Sequence, residues 1–422
     1  MREPTSAVAH VSSRRIPLAA VFILIAGVFA CSIYANLSFA VTNSAHYRFF
    51  PPFHRHVNAN CNRDLGAENG NIARSLVAGD GFANPFRTPS SPTAWMAPPF
   101  PAVLAALLWL CDGSNDAVMT VVIFLQLASL IATGLLILAL VQQTTRRAGT
   151  ALAVAVFGAE LVGHFSWCFQ MTQDWWLGLA ALDLLVAGLC WCRPLASRRA
   201  AGWWGFFGGV CGLVNPVIGL AWGLMSLQVG LRERAGWRLA LACVTAGGTL
   251  LPWTVRNYLV FGRLIPVKSN LAYELYQSQC LQPDGVVRRR TLRQHPYTAA
   301  MPEGQDYHAL GESAFLERKQ QQFRDAVASA PLAFLARVGD RFLAATLWYE
   351  PFDPPQEAAR PWTLWFRRLT HPLPFLALLI LVGTAARRPL GHAERVAIGV
   401  YALYLLPYVV VSYYPRYAVP LL

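Results

Sequence analysis

Apolar blocks close to the ~20 residues that carry a helix across a bilayer constrain this chain more than any other feature. They run at 17–41, 117–141, 149–168, 175–192, 201–214, 216–230, 238–255, 371–386 and 393–412, and they predict nine membrane spans. Charged residues make up only 14% of the 422 and hydrophobic ones 55%, whereas soluble domains carry about a quarter charged. The first block follows Arg14 and Arg15 as a secretory signal would. It is too long for a signal's apolar core of about 7–15 residues, so it reads as an uncleaved span. The fifth and sixth blocks are short and meet at Asn215-Pro216. That reads as a broken or re-entrant pair, which is tolerated at membrane depth only where protein or a cavity surrounds it.

The formal net charge of +13 has to be assigned to a partner or to the membrane. Nucleic acid would want a soluble basic surface with interleaved aromatic residues, and the sequence has none. The arginines cluster beside the apolar blocks instead, where basic residues orient membrane proteins. With the N-terminus in the cytoplasm, alternating spans put fourteen arginines inside: 2, 14, 15, 146, 147, 193, 198, 199, 232, 234, 238, 387, 388 and 395. The short outside links near 169–174 and 215 then hold no Lys or Arg.

This topology divides the chain into five parts. Residues 1–41 are a cytoplasmic tail and the first span, and 42–116 are a first extracytoplasmic loop. A transmembrane bundle at 117–255 leads to a second extracytoplasmic region at 256–370, and the last spans and a Pro-Arg-Tyr motif fill 371–422. Within the first loop, a short helix around Glu68–Val77, a turn at Gly79 and Gly81, and a juxtamembrane helix over Pro98–Leu110 are expected. Ala333–Tyr349 mixes apolar residues with Arg337, Asp340 and Arg341, and reads as a helix lying in the interface. Trp362 and Trp365 suit the same depth. Cys61, Cys111 and Cys280 fall outside, where one disulfide could form, and the remaining cysteines read as packing residues. The run Arg288-Arg289-Arg290 reads as a solvated loop. Glu160 and His164 share one face of the third span, and Asp183 should lie at similar depth in the fourth. Ionisable groups there are costly and usually paired, so a buried hydrogen-bonded cluster is expected.

Three stretches carry chemistry. The first is AENGNIARSLVAGDGFANPF followed by SPTAWMAPPFP, and the second is LPWTVRNYLVFGRLIPVKSNLAYEL at 251–275. The third is Tyr-Pro-Arg-Tyr-Ala-Val-Pro at 414–420. Together and in this order they resemble the GT-C superfamily of membrane glycosyltransferases, closest to bacterial members of the dolichyl-phosphate-mannose protein mannosyltransferase and aminoarabinose transferase group. The resemblance covers nearly the whole chain. It implies an all-α polytopic membrane protein, a GT-C type bundle of about nine transmembrane helices with two long extracytoplasmic loops carrying juxtamembrane helices. It further implies sugar transfer from a polyprenyl-phosphate carrier to an acceptor hydroxyl or amine on a protein, lipid or glycan.

Such enzymes carry an acidic residue in the first outer loop and often another at the outer end of a later span. Glu68 and Asp174 match these positions. Many relatives have an Asp several residues before Glu68, where this sequence has Asp64-Leu65, and a Tyr where it has Asn69, so Asp64 stays open beside Glu68 as the base. A carboxylate is wanted because a sugar hydroxyl is a weak nucleophile until its proton is taken. The leaving phosphate needs cations in place beforehand, and Arg256, Lys268 and Arg416 are the candidates. Asn270, Glu274 and Tyr417 are expected to contact sugar or acceptor. A divalent cation held by two carboxylates is left open.

Two other readings remain at this stage. A transporter or flippase of lipid-linked sugar would also bury charges in a bundle, although no pair of inverted halves is visible. A catalytically inactive scaffold of the same fold would account for the departures around Asp64 and Asn69. Relatives continue into at least one further span after the Pro-Arg-Tyr run. Tyr417–Leu422 is therefore expected either to dock on the bundle as a stub or to mark a truncation.

Overall fold

The computed structural model describes residues 16–42, 65, 67–86, 89–144 and 147–421. Asp64, Cys61 and the arginines at 2, 14, 15 and 146 lie outside the described residues. The fold is all-α. Among the described residues the only β pairing is two isolated bridges, Ala83 with Pro92 and Val286 with Tyr413. The helices are α1 Leu18–Thr42, α2 Glu68–Ala78, α3 Pro99–Leu110, α4 Asn115–Thr144, α5 Arg147–Gly163 and α6 Phe165–Phe169. Next come α7 Trp175–Trp191, α8 Arg198–Val214, α9 Pro216–Arg232, α10 Gly236–Phe261, α11 Leu271–Cys280 and α12 Arg289–Leu292. The last six are α13 Pro302–Ser329, α14 Pro331–Thr346, α15 Pro354–Ala358, α16 Pro361–Thr370, α17 Leu373–Thr384 and α18 His392–Val410. A 3₁₀ segment, Pro415–Leu421, follows.

Among the described residues, five segments are long and apolar enough to cross a membrane: Leu18–Ala35, Ala117–Gln143, Gly236–Phe261, Pro361–Thr384 and His392–Val410. Four further expected spans, α5, α7, α8 and α9, are helical but only 17 residues each, short of the ~20 that cross unaided. The expected third span also breaks at His164, where α5 ends and α6 begins. The apolar side chains of α10 point outward: Trp237, Val244, Leu251 and Leu259 are 56%, 72%, 57% and 77% exposed. Such a surface suits hydrocarbon and would be costly in water. These features make the chain a helical bundle suited to a multi-pass membrane protein.

Small residues bring the short helices together, as they do where lipid supplies no hydrophobic drive. A Cβ built on Gly205 of α8 would sit 2.3 Å from the Ala242 carbonyl oxygen of α10, and one on Gly208 would strike Trp222 of α9 at 2.2 Å. The Trp204 indole donates to Ser226 Oγ at 2.8 Å, which satisfies a polar group inside this packed core. At the α8–α9 junction Asn215 Oδ1 accepts the Val217 N–H at 3.0 Å and caps α9, and Pro216 starts the helix, where its missing N–H is not needed.

The two long loops fold on one another. Phe86 and Trp95 from the first pack with Tyr273, Tyr276, Tyr297, Tyr307 and Phe315 from the second. A buried carboxylate, Glu312, holds this aromatic core in register. It accepts hydrogen bonds from Thr93 Oγ1, the Ala94 N–H (2.9 Å), Ser269 Oγ (2.7 Å) and Tyr307 Oη (3.0 Å). Ser269 N–H also donates to the Ala94 carbonyl at 2.8 Å. The Pro-Thr-Ala-Trp and Lys-Ser-Asn stretches, far apart in the chain, thus become neighbours.

The predicted loop helix is present as α2, with Gly79 and Gly81 at φ 89 and 76, and the juxtamembrane helix as α3. The Ala333–Tyr349 helix is present as α14, and Arg341 is wholly buried at its inner face. That guanidinium donates to the Val409 and Val410 carbonyls at 2.6 and 2.9 Å, capping the end of α18.

Arg288 departs from the solvated reading of the arginine run, while Arg290 is exposed as that reading expects. Arg288 is 8% exposed and bonds Asp284 at 2.5 Å and Glu350 at 3.0 Å. Arg289 pairs with Asp353, and Arg290 donates to Gln282 at 2.8 and 3.0 Å. Carboxylates 62 and 64 residues away pair with Arg288 and Arg289, and no local pattern announces them. Cys111 and Cys280 are free thiols, so the one disulfide they could form is absent. Glu160 and His164 are buried with Nδ1 to Oε2 at 3.5 Å. Asp183 accepts from Thr133 Oγ1 at 2.7 Å. Pro415–Leu421 docks with Ala418, Val419 and Leu421 buried.

Candidate active site

One cleft opens where the paired loops meet the end of the bundle. Glu68, Asp174, Lys268, Asn270, Glu274, Arg416 and Tyr417 all line it, together with Asn69, Trp95, Asn215, Gln277, His295, Tyr408, Ser412 and Tyr414. Seven side chains singled out from sequence thus converge from four regions of the chain. Asp64 lies outside the described residues. Arg256 is the exception: it does not line the cleft. Its guanidinium donates to the Thr93 carbonyl at 2.7 Å and the Phe82 carbonyl at 2.9 Å. It lies over the Phe82 and Trp253 rings at 5.6 and 5.1 Å. Both arms of the fork are taken, so it braces the first loop.

Glu68 is the first residue of α2. Leu65 and Ala67, just before it, both have φ 51, a left-handed conformation that bulky residues rarely adopt. Both are fully buried, and packing holds this strain beside the carboxylate, a pairing common at working sites. Burial pushes the Glu68 carboxyl up to about 7 from 4.5. Its own backbone N–H and Arg416 oppose that shift, while Asp174 and Glu274 add to it.

His295 Nε2 stands 3.8 Å from Glu68 Oε1. Its Nδ1 accepts the Tyr297 N–H at 3.2 Å, which leaves the ring proton on Nε2, facing the carboxyl. Burial lowers His295 to about 3, so it is a neutral donor. Trp95 and Tyr273 enclose it at 5.7 and 5.2 Å.

On the opposite wall Arg416 Nη1 meets Asp174 Oδ1 at 3.7 Å and lies over Tyr414 and Tyr417 at 5.3 and 5.5 Å. Burial works against the guanidinium charge, but Asp174 and the two tyrosines hold its pKa above the ordinary arginine range. Asp174 precedes α7 without capping it through its side chain, which leaves the carboxylate for Arg416 and the cleft. Tyr417 stacks on Tyr408 at 4.3 Å, and Tyr408 Oη accepts from Asn215 Nδ2 at 2.8 Å. The tip of the α8–α9 pair is thereby tied to the cleft wall.

Asn270, Glu274 and Gln277 stand at i, i+4 and i+7 and form one polar stripe on α11. Gln277 Nε2 donates to Glu274 Oε2 at 2.5 Å. The spacing of this stripe is visible in sequence, although Gln277 was not singled out there. His295 follows an arginine run with no periodic partner, and Glu312 lies on a polar helix among other acids, so neither carries a local signal. Among the described residues, no three His, Cys, Asp or Glu side chains converge closely enough to hold a metal ion.

The cleft and the arginine-rich turns occupy opposite ends of the same helices. α7 runs from Asp174 at the cleft to Leu189, whose carbonyl lies 2.7 Å from His392 Nε2 at the start of α18. α18 then returns toward Ser412 at the cleft. A 17-residue helix spans about 25 Å at ~1.5 Å per residue. No protein-family model matches this chain, and neither the curated proteins nor the solved structures yield a match.

Proposed function

We propose that this chain is a polytopic membrane glycosyltransferase of GT-C type. On this reading it moves a sugar from a polyprenyl-phosphate carrier to an acceptor hydroxyl or amine on the extracytoplasmic face, in a bundle of nine spans. The observation that carries the proposal is a single cleft holding a buried carboxyl poised near neutrality, Glu68, together with two cations, Lys268 and Arg416. The cleft's position at the bundle end away from the arginine-rich turns supports an outward-facing site, because basic turns stay in the cytoplasm.

In the proposed step the acceptor oxygen attacks the anomeric carbon while Glu68 takes its proton. The bond from that carbon to the phosphate oxygen breaks, and its electron pair stays on the phosphate. Lys268 and Arg416 meet the charge that develops there, within a site whose donors need no reorganisation. A base with a pKa near the working pH combines a useful deprotonated fraction with a strong pull on the proton. His295 Nε2–H faces the same carboxyl at 3.8 Å. Asp174 holds Arg416 in place.

Full-length protein in nanodiscs, given decaprenyl-phosphate sugars and a membrane extract as acceptor pool, tests the proposal. Transfer detected by mass spectrometry, and lost in Glu68→Gln, is the expected result. Release of sugar to neither acceptor nor water by well-folded protein, across a panel of hexosyl and pentosyl donors, would refute it.

A further inference from the structure

The cleft contains more buried polar atoms than it satisfies. Asn270 Oδ1, Gln277 Oε1, Ser412 Oγ and Tyr414 Oη have no hydrogen-bond partner among the described residues. Their residues are 5%, 4%, 3% and 4% exposed, and all four line the same cleft. One unsatisfied buried polar group is an expense a fold normally avoids, and four lining one cleft mark a place built for a ligand. Their chemistry says which kind. Two are amide carbonyls, which only accept, and two are hydroxyls, which accept or donate. A ligand that completes them must offer several O–H groups at close spacing.

Formal charge narrows the ligand further. Amide carbonyls and hydroxyls attract donors without supplying a counter-charge. Glu274 Oε2 accepts from Gln277 Nε2 at 2.5 Å, which keeps a carboxylate in the stripe, and a sugar carboxylate would face it together with Glu68 and Asp174.

We propose that the α11 stripe of Asn270, Glu274 and Gln277, with Ser412 and Tyr414 in the same cleft, reads the donor sugar through at least two of its hydroxyls and turns away a sugar that carries a carboxylate. This rests on the glycosyltransferase reading above and specifies the donor within it. Arg416 and Lys268 hold the phosphate end, and the stripe reads the ring.

The stripe is suited to substitution. Asn270 precedes α11 without capping it through its side chain, so Asn270→Leu removes the accepting oxygen with no lost cap. Asn270→Asp keeps an accepting oxygen in the same place. Full-length protein in nanodiscs is titrated with decaprenyl phosphate alone and with its mannosyl and glucosyl esters. The same titration is run with the monodeoxy forms of those esters and with the glucuronosyl ester. Expected is hexosyl-ester binding at least tenfold tighter than that of the bare phosphate. One or more deoxy forms should lose about 10- to 100-fold, as when a buried polar group is left unpaired. Asn270→Leu and Gln277→Leu should erase that loss while binding of bare decaprenyl phosphate stays unchanged, and Asn270→Asp should keep it. Equal binding of hexosyl and deoxy esters, or preference for the glucuronosyl ester, overturns the sugar-wall proposal and leaves the glycosyltransferase reading standing. Failure of bare decaprenyl phosphate to bind at all overturns both.

Discussion

Glu68→Gln separates catalysis from stability in a way that only a buried, charge-stressed carboxyl would. The folded protein lifts this group from 4.5 to about 7, so 7 − 4.5 gives about 2.5 units, and at ~1.36 kcal/mol per unit the differential is about 3 kcal/mol. The side chain is 12% exposed, so solvent screening takes little from that figure. The sign follows from proton counting. Between pH 4.5 and 7 the folded state binds more protons at Glu68 than the unfolded state, so stability falls as pH rises through this window. Glutamine has no proton to lose. The variant should therefore match the parent below pH 4.5 and gain progressively, up to about 3 kcal/mol, by pH 8. Turnover should move the other way, falling by about 10²–10⁴ when the proton acceptor is removed. The parent's rate should also fall as pH drops below about 7, where Glu68 becomes protonated. Melting curves from pH 4.5 to 8 and transfer from a defined decaprenyl-phosphate sugar read the two effects separately. A stability difference that stays flat across this range would refute the burial argument. Near-normal turnover in Glu68→Gln, with loss in Asp64→Asn, would move the base one turn earlier.

Three further outcomes follow from the same geometry. Arg256→Ala removes charge-assisted bonds to the Thr93 and Phe82 carbonyls and should cost about 2–3 kcal/mol of stability. Its folded fraction should still bind decaprenyl phosphate normally, so selective loss of binding at an unchanged melting point would overturn the bracing role. Arg416→Ala should instead weaken decaprenyl-phosphate binding about tenfold or more, with the rate falling as well. Unaltered binding in folded protein would remove it from the phosphate end. In a cysteine-free background, single cysteines at the exposed positions Ser91 and Ala314 should react with an impermeant maleimide in intact cells, and one at Ala386 only after lysis. The reverse pattern would invert the whole topology.

Sequence reached the all-α helical bundle because that much depends on periodic local features. Apolar blocks, a Gly79/Gly81 turn and a Pro-started juxtamembrane helix each announce themselves within a dozen residues. Counting spans by length is less direct, since α5, α7, α8 and α9 are 17 residues each. Close packing at Gly205 and Gly208 lets α8 sit deep among its neighbours, which window hydropathy does not register. What sequence could not settle was the difference between touching a ligand and holding the wall. Arg256 and Arg416 look alike in the chain, each a guanidinium inside a motif at the predicted outer surface. They separate only when distant atoms are known. Both arms of Arg256 end on carbonyls from residues 163 and 174 positions away. Arg416 meets Asp174 at 3.7 Å, beyond hydrogen-bond length, and turns its charge into the cleft. Glu312 carries the same lesson in the opposite direction. It has no motif around it, yet it collects donors from Thr93, Ala94 and Ser269 and so joins the two stretches that carried the family resemblance. A motif can persist because it forms the frame around a site, and here the frame reaches from the first loop to the second through one buried carboxylate. The residues it leaves facing inward, with polar atoms still to be matched, are the ones whose substitution should change which sugar the cleft accepts.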